Sequence, residues 1–106
     1  MDHRLELHEK LKQLLLDAGE TPHVYFQPPE SIKMQYPCFL YDIDDFPSIL
    51  ANDSKYLVFE RYTVVYIDRK ATSPIPKTVS LMKGFGYDRH YVADNLHHHV
   101  FTFMFT

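Results

Sequence analysis

Apolar positions near the start of the chain recur at helical spacing. Leu7, Leu11, Leu14, Leu15 and Ala18 fall on one stripe, at the intervals that line one face of a helix. Asp2 can cap the first turn, so the pattern predicts a helix from Asp2 to about Ala18. Glu6 and Lys10 stand four apart on the polar side, acid before base, which is the favourable order. Gly19 then supplies a left-handed stop, and Pro22 prevents continuation.

Beyond this point the period changes to two. His23 to Gln27 reads as a short strand, with Val24 and Phe26 on one face and His23 and Tyr25 on the other. Pro28 and Pro29 end it, since neither can donate to a ladder. Glu30 to Pro37 reads as a loop, and Cys38 to Asp44 as a second strand. Asp45 to Lys55 holds Pro47, Asn52, Asp53 and Ser54, so it is expected to be a connection despite Phe46, Ile49 and Leu50 within it. Tyr56 to Asp68 is the strongest strand pattern. Tyr56, Val58, Tyr62, Val64 and Tyr66 mark one face, and Leu57, Phe59, Val65 and Ile67 the other. Extended, it would span on the order of 40 Å, and its two apolar faces would need cover from two sides.

Arg69 to Ser73 reads as a turn. Ser73 and Pro74 form a cap and a favoured first helical residue. Ile75, Thr78, Val79 and Met82 make the inner face of a short second helix, which Gly84 and Gly86 end. Tyr87 to Val92 and Leu96 to Phe105 are two more strands, joined by a hairpin turn at Ala93-Asp94-Asn95. The order α-β-β-β-α-β-β predicts an α+β fold. Its sheet would be antiparallel or mixed with a long central strand, and the N-terminal and second helices would pack on one side.

Composition agrees with a folded chain and narrows its chemistry. The 106 residues suit one domain. Eight tyrosines and eight phenylalanines, with no tryptophan, supply large core areas. The formal net charge of -3 leaves no basic footprint for sequence-specific DNA binding. One cysteine, Cys38, cannot form an internal disulfide, which suits a reducing compartment. Met1 to Leu16 is charged throughout and lacks the apolar run of a signal peptide. No apolar stretch approaches the ~20 residues of a membrane helix. A cytoplasmic location is expected.

Each candidate site has a simpler structural account. His97 and His99 share a strand face about 7 Å apart. His90 or Asp88 from the neighbouring strand could add a third metal ligand, but a polar strand end explains the same residues, and no closed metal signature is present. Cys38 begins an apolar strand and is expected to be an inert core thiol. Asp42, Asp44, Asp45 and Asp53 read as strand-end and turn carboxylates, without calcium-loop spacing. Gly84-Phe85-Gly86 follows a helix and carries no lysine, so it is not a phosphate loop. No catalytic residue, metal or cofactor is expected. Phe46, Ile49, Leu50, Tyr56, Tyr62 and Tyr66 are the expected contact residues for a partner, aromatic or apolar side chains without a basic groove around them.

Several strings taken together resemble a known group. They are His23-Val24-Tyr25-Phe26-Gln27-Pro28-Pro29, the Tyr36-Pro37-Cys38 step into a strand, and Arg61-Tyr62-Thr63-Val64 running to Ile67-Asp68-Arg69. The closing Ala93-Asp94-Asn95-Leu96 and Val100-Phe101 complete the set. They resemble small tail-completion proteins encoded in the head-to-tail module of tailed phages and prophages. The element order is also similar to that of tail terminators of long-tailed phages, a likeness of architecture alone. The resemblance implies a homo-oligomeric ring, commonly of six subunits, that meets the tail-tube protein and the head connector proteins. It also implies residence in the host cytoplasm and then in the virion neck. A head–tail adaptor or stopper, or a minor capsid protein, is the alternative it leaves open. It brings no catalytic residues.

Overall fold

The computed structural model describes residues 3–28, 33–45, 48–51, 55–58 and 60–105, with backbone alone at 3, 44, 45, 48–51, 55–58, 60 and 105. The Asp2 cap, Phe46, Asp53 and Phe59 lie outside the described residues. The elements are α1 (His3–Asp17), β1 (Val24–Phe26), β2 (Cys38–Asp45), β3 (Ser48–Ala51), β4 (Lys55–Val58), β5 (Glu60–Asp68), α2 (Ile75–Ser80), β6 (Phe85–Ala93) and β7 (Leu96–Phe105). This is the α+β class that the pattern predicts.

Leu7, Leu11 and Leu15 are fully buried along one side of α1, while Leu14 is half-buried and Ala18 lies outside the helix and is exposed. Burying each leucine contributes about 2 kcal/mol of transfer free energy. The helix ends as its sequence indicates. Gly19 has φ 78°, its N–H donates to the Leu16 carbonyl at 3.0 Å, and the Glu20 N–H donates to the Leu15 carbonyl at 2.9 Å. These two bonds satisfy carbonyls that the last turn would leave orphaned.

Five strands form one sheet in the order β1-β2-β5-β7-β6. β1 runs parallel to β2, and all other neighbours are antiparallel, so the sheet is mixed. β5 is central. Its even-numbered residues Tyr62, Val64 and Tyr66 are buried on one face with Phe39 and Tyr41 of β2 and Phe101 and Phe103 of β7. Leu7, Leu11 and Leu15 of α1 and Ile75 and Val79 of α2 cover this face. Tyr62 and Tyr66, expected at a subunit contact, are therefore core residues of the chain itself. Alternation separates two faces of a strand but does not say which one the chain's own helices cover.

The opposite face of β2, β5 and β7 carries Leu40, Val65, Val100 and Met104, with Asp42, Thr63 and Thr102 beside them. Among the described residues both helices sit on the other side. Leu40, Val65 and Met104 stay partly exposed.

The expected long strand from Tyr56 to Asp68 is divided into β4 and β5. The expected connection from Asp45 to Lys55 contains β3, which pairs with β4 as a separate two-stranded sheet. The pairs Ser48↔Val58 to Ala51↔Lys55 continue the register of Asp45↔Arg61, past a shift between Ile43 and Asp45. β3 and β4 thus keep the register of the last β2–β5 pair while forming a two-stranded sheet of their own. Turn formers at 52–54 had outweighed the short apolar runs on either side.

β6 and β7 are joined by Asp94 and Asn95, with φ 53° and 62°, closed by the Ala93↔Leu96 pair. Two consecutive positive φ values fit a two-residue hairpin turn with the twist the strands require. Gly86, expected to help stop α2, lies inside β6 instead. No helix among the described residues is long and apolar enough to cross a membrane.

Two contrasts can be measured. Gly84 has φ 90°, and a Cβ there would stand 2.8 Å from Phe103 Cε1. Gly19 also has positive φ but would meet nothing within 4 Å. Gly84→Ala should therefore destabilise by about 2–4 kcal/mol, and Gly19→Ala by about 1–2 kcal/mol, in chemical denaturation. Equal losses would mean that the Phe103 contact relaxes freely.

The second contrast concerns His8, which fixes α1 to the sheet through a 2.8 Å hydrogen bond between its Nδ1 and the Tyr41 hydroxyl. Arg4 donates to the same hydroxyl oxygen at 3.5 Å, which leaves the Tyr41 proton for His8. Burial lowers the pKa of His8 below its ordinary 6.5, helped by Lys12 and Arg4 and opposed by Glu9. The folded pKa is depressed, so this contribution is present above pH 6.5 and lost as pH falls through the folded value. The melting temperature should drop on acidification below that point, and His8→Asn should flatten the drop.

Candidate functional site

The described chemistry-bearing side chains gather at one end of the sheet, where β5, β7 and β6 carry Asp68, His97, His99 and His90. The antiparallel register places His99 opposite both Tyr66 and His90, and His97 opposite Asp68. His97 and His99 point to the helix-covered face, as their spacing predicts. His98 points to the other and stacks on Tyr91, with centroids 4.6 Å apart and planes 10° apart. Its Nδ1 lies 3.0 Å from the Leu96 carbonyl, so it donates there.

His90, not Asp88, is the neighbour-strand residue that joins the cluster. The register shifts between Tyr87 and Arg89, leaving Asp88 as the extra residue. Asp88 instead accepts a hydrogen bond from Arg89 at 2.8 Å. His90 Nε2 stands 3.0 Å from His97 Nδ1, and the two rings are 8° from parallel. His90 also stacks on His99 at 4.6 Å. His99 Nδ1 is buried and has no hydrogen-bond partner. The pKa of His99 is lowered by burial first, then by His90 and His97, with Asp68 acting in the opposite sense. The His99 ring therefore favours the neutral state, the form in which imidazole accepts protons or binds metals. Among the described residues no group of three His, Cys, Asp or Glu side chains is placed to hold an ion.

Beneath the cluster lies a buried polar network. The Tyr66 hydroxyl donates to Asp68 Oδ2 at 2.7 Å and contacts Ser73 Oγ at 3.1 Å. Asp68 Oδ1 accepts from the Lys70 N–H at 3.0 Å, and Ser73 Oγ accepts from the Ile75 N–H at 3.3 Å. Ser73, expected as the cap with Pro74 as the first helical residue, stands one residue further out: Pro74 is the boundary residue and α2 begins at Ile75. Burial raises the Tyr66 pKa, and Asp68 adds to the rise. The phenol stays protonated and acts as a structural donor that ties the end of β5 to α2.

Cys38 is fully buried at the start of β2. Burial, with a smaller effect from the Asp68 charge, pushes its pKa up to about 12. A thiol of that kind is not a nucleophile near neutrality. Of the expected contact residues, Ile49, Leu50 and Tyr56 lie on β3 and β4, where Ile49 pairs with Leu57 and Leu50 with Tyr56. The acidic residues are dispersed: Asp42 is half-buried on β2, and Asp44 and Asp45 follow it on the same strand.

No protein-family model matches the chain, and no curated protein matches it significantly.

The environment of Cys38 sets an expectation for its reactivity. In native protein at neutral pH, Ellman's reagent should leave Cys38 unmodified over a time in which denatured protein reacts fully. Rapid modification of the folded chain would show that β2 opens at its start.

Proposed function

We propose that this chain is a structural subunit of the neck or tail end of a tailed phage or prophage, a tail terminator-like ring protein. In this reading it binds copies of itself, the tail-tube protein and the head connector, in the host cytoplasm and then in the virion. The observation that carries the reading is the outer hairpin of β3 and β4. It is a sheet separate from the five-stranded one and pairs only with itself among the described residues. An isolated two-stranded hairpin is marginal in water, and this one has Ile49↔Leu57 on one face and Leu50↔Tyr56 on the other. The helix-free sheet face offers a second surface in need of cover. Two different surfaces left open among the described residues suit head-to-tail association, which closes into a ring when the rotation permits. A net charge of -3 is compatible with a channel that DNA slides through. The resemblance of the sequence strings to tail-completion proteins supplies the location.

The test is assembly. Light scattering of concentrated protein, alone and with the tail-tube protein encoded nearby, should give masses at multiples of 12.6 kDa. Ile49→Asp and Leu50→Asp, one on each face of the hairpin, should suppress these while circular dichroism and melting of the monomer remain. A strict monomer that also ignores tail-tube protein would overturn the proposal. A gene placed directly before the major tail-tube gene would favour a terminator over an adaptor or stopper.

A further inference from the structure

The cluster on β6 and β7 has one feature that packing does not require. Two imidazole nitrogens, His90 Nε2 and His97 Nδ1, face each other at 3.0 Å across the strand pair. They belong to different strands, so the β-ladder holds their spacing. His90 is exposed and His97 half-buried. The neutral pair can share one proton between its facing nitrogens. A divalent ion could take that proton's place.

The separation decides which ion fits. First-row divalent ions hold imidazole nitrogens at about 2.0–2.1 Å. Two such nitrogens at a tetrahedral angle would stand about 3.4 Å apart, and at a right angle about 2.9 Å. The observed 3.0 Å matches adjacent positions of a square or tetragonal centre, the geometry of Cu(II) and Ni(II) with nitrogen and oxygen ligands. A modest tilt of both rings directs their lone pairs to a common point beside the line that joins them. His99 lies directly opposite His90 in register, with its ring 4.6 Å away and its Nδ1 buried without a hydrogen-bond partner. It is positioned to contribute a further nitrogen on rotation, and water would fill the other positions.

We propose that His90 and His97 form a surface seat for a tetragonal divalent ion, Cu(II) before Ni(II) in affinity, clamping β6 to β7 near their hairpin turn. The order follows the general rise of affinity towards copper across the series. The seat is independent of the assembly reading, since it needs one chain only.

The experiment is a calorimetric titration of untagged protein with Cu(II) in a non-coordinating buffer, with electron paramagnetic resonance of the product. A His3→Ala background removes a competing nitrogen ligand near the amino terminus. One ion per chain is expected, with hyperfine structure from imidazole nitrogen. His90→Asn and His97→Asn should each weaken binding by about tenfold or more, since even the outer partners of metal ligands carry effects of that size. His98→Asn, on the opposite sheet face, should leave it unchanged. Circular dichroism of each variant checks the fold. No saturable uptake up to about 100 µM Cu(II), a free energy near 5–6 kcal/mol, would overturn the proposal. So would binding that survives both substitutions or that His98→Asn abolishes equally.

Discussion

The fold depends on β5 having two unlike faces. Its residues alternate between a side that two helices cover and a side that none of the described helices reaches. Paired with β2 and β7, β5 has its backbone groups committed on both edges. Its contribution then depends on what lies above and below it. Tyr62, Val64 and Tyr66 meet leucines of α1 and Ile75 and Val79 of α2 within one cluster. Six residues of α2 would be far too few to hold together as an isolated helix. Burial of Ile75 and Val79 against the sheet is what holds them.

Aromatic rings give the sheet much of its core area, but tyrosines bring hydroxyls that must be satisfied. Two of the buried tyrosines use this requirement to join different elements. Tyr41 meets His8 and Arg4 of α1, and Tyr66 meets Asp68 and Ser73 at the start of α2. Each bond contributes only about 1 kcal/mol net. Losing a partner would cost more, because a buried hydroxyl would remain unpaired. The helices are thus held by hydrophobic area and set in place by polar contacts.

Much of this was legible in local chemistry. The leucine stripe and Gly19 marked α1 and its end, and Asp94-Asn95 marked the last hairpin. Both signals are short-range, so one stretch of chain suffices. The outer hairpin was not legible in the same way. Ile49 and Leu50 make sense as strand residues only once they are set against Leu57 and Tyr56 across the turn, and that pairing is a tertiary fact. The burial of Tyr62 and Tyr66 was hidden for a related reason, since strand period fixes that alternate residues part company but not which group meets the helices. For the histidines, spacing alone paired His97 with His99. The one-residue shift in β6 decided that His90, and not Asp88, would join them.

The parts that local signals missed are those that leave the chain unfinished. A closed domain would use its hairpin tip to cover its own open sheet face. Here β3 and β4 pair with each other and, among the described residues, with no strand of the larger sheet. Among the described residues the β2–β5 ladder shifts by one residue between Ile43 and Asp45. Such a shift bends a strand and increases its twist, but it does not reverse the chain. The apolar hairpin and the helix-free face therefore belong to two different sheets. In the proposed ring, one copy covers what the next leaves open.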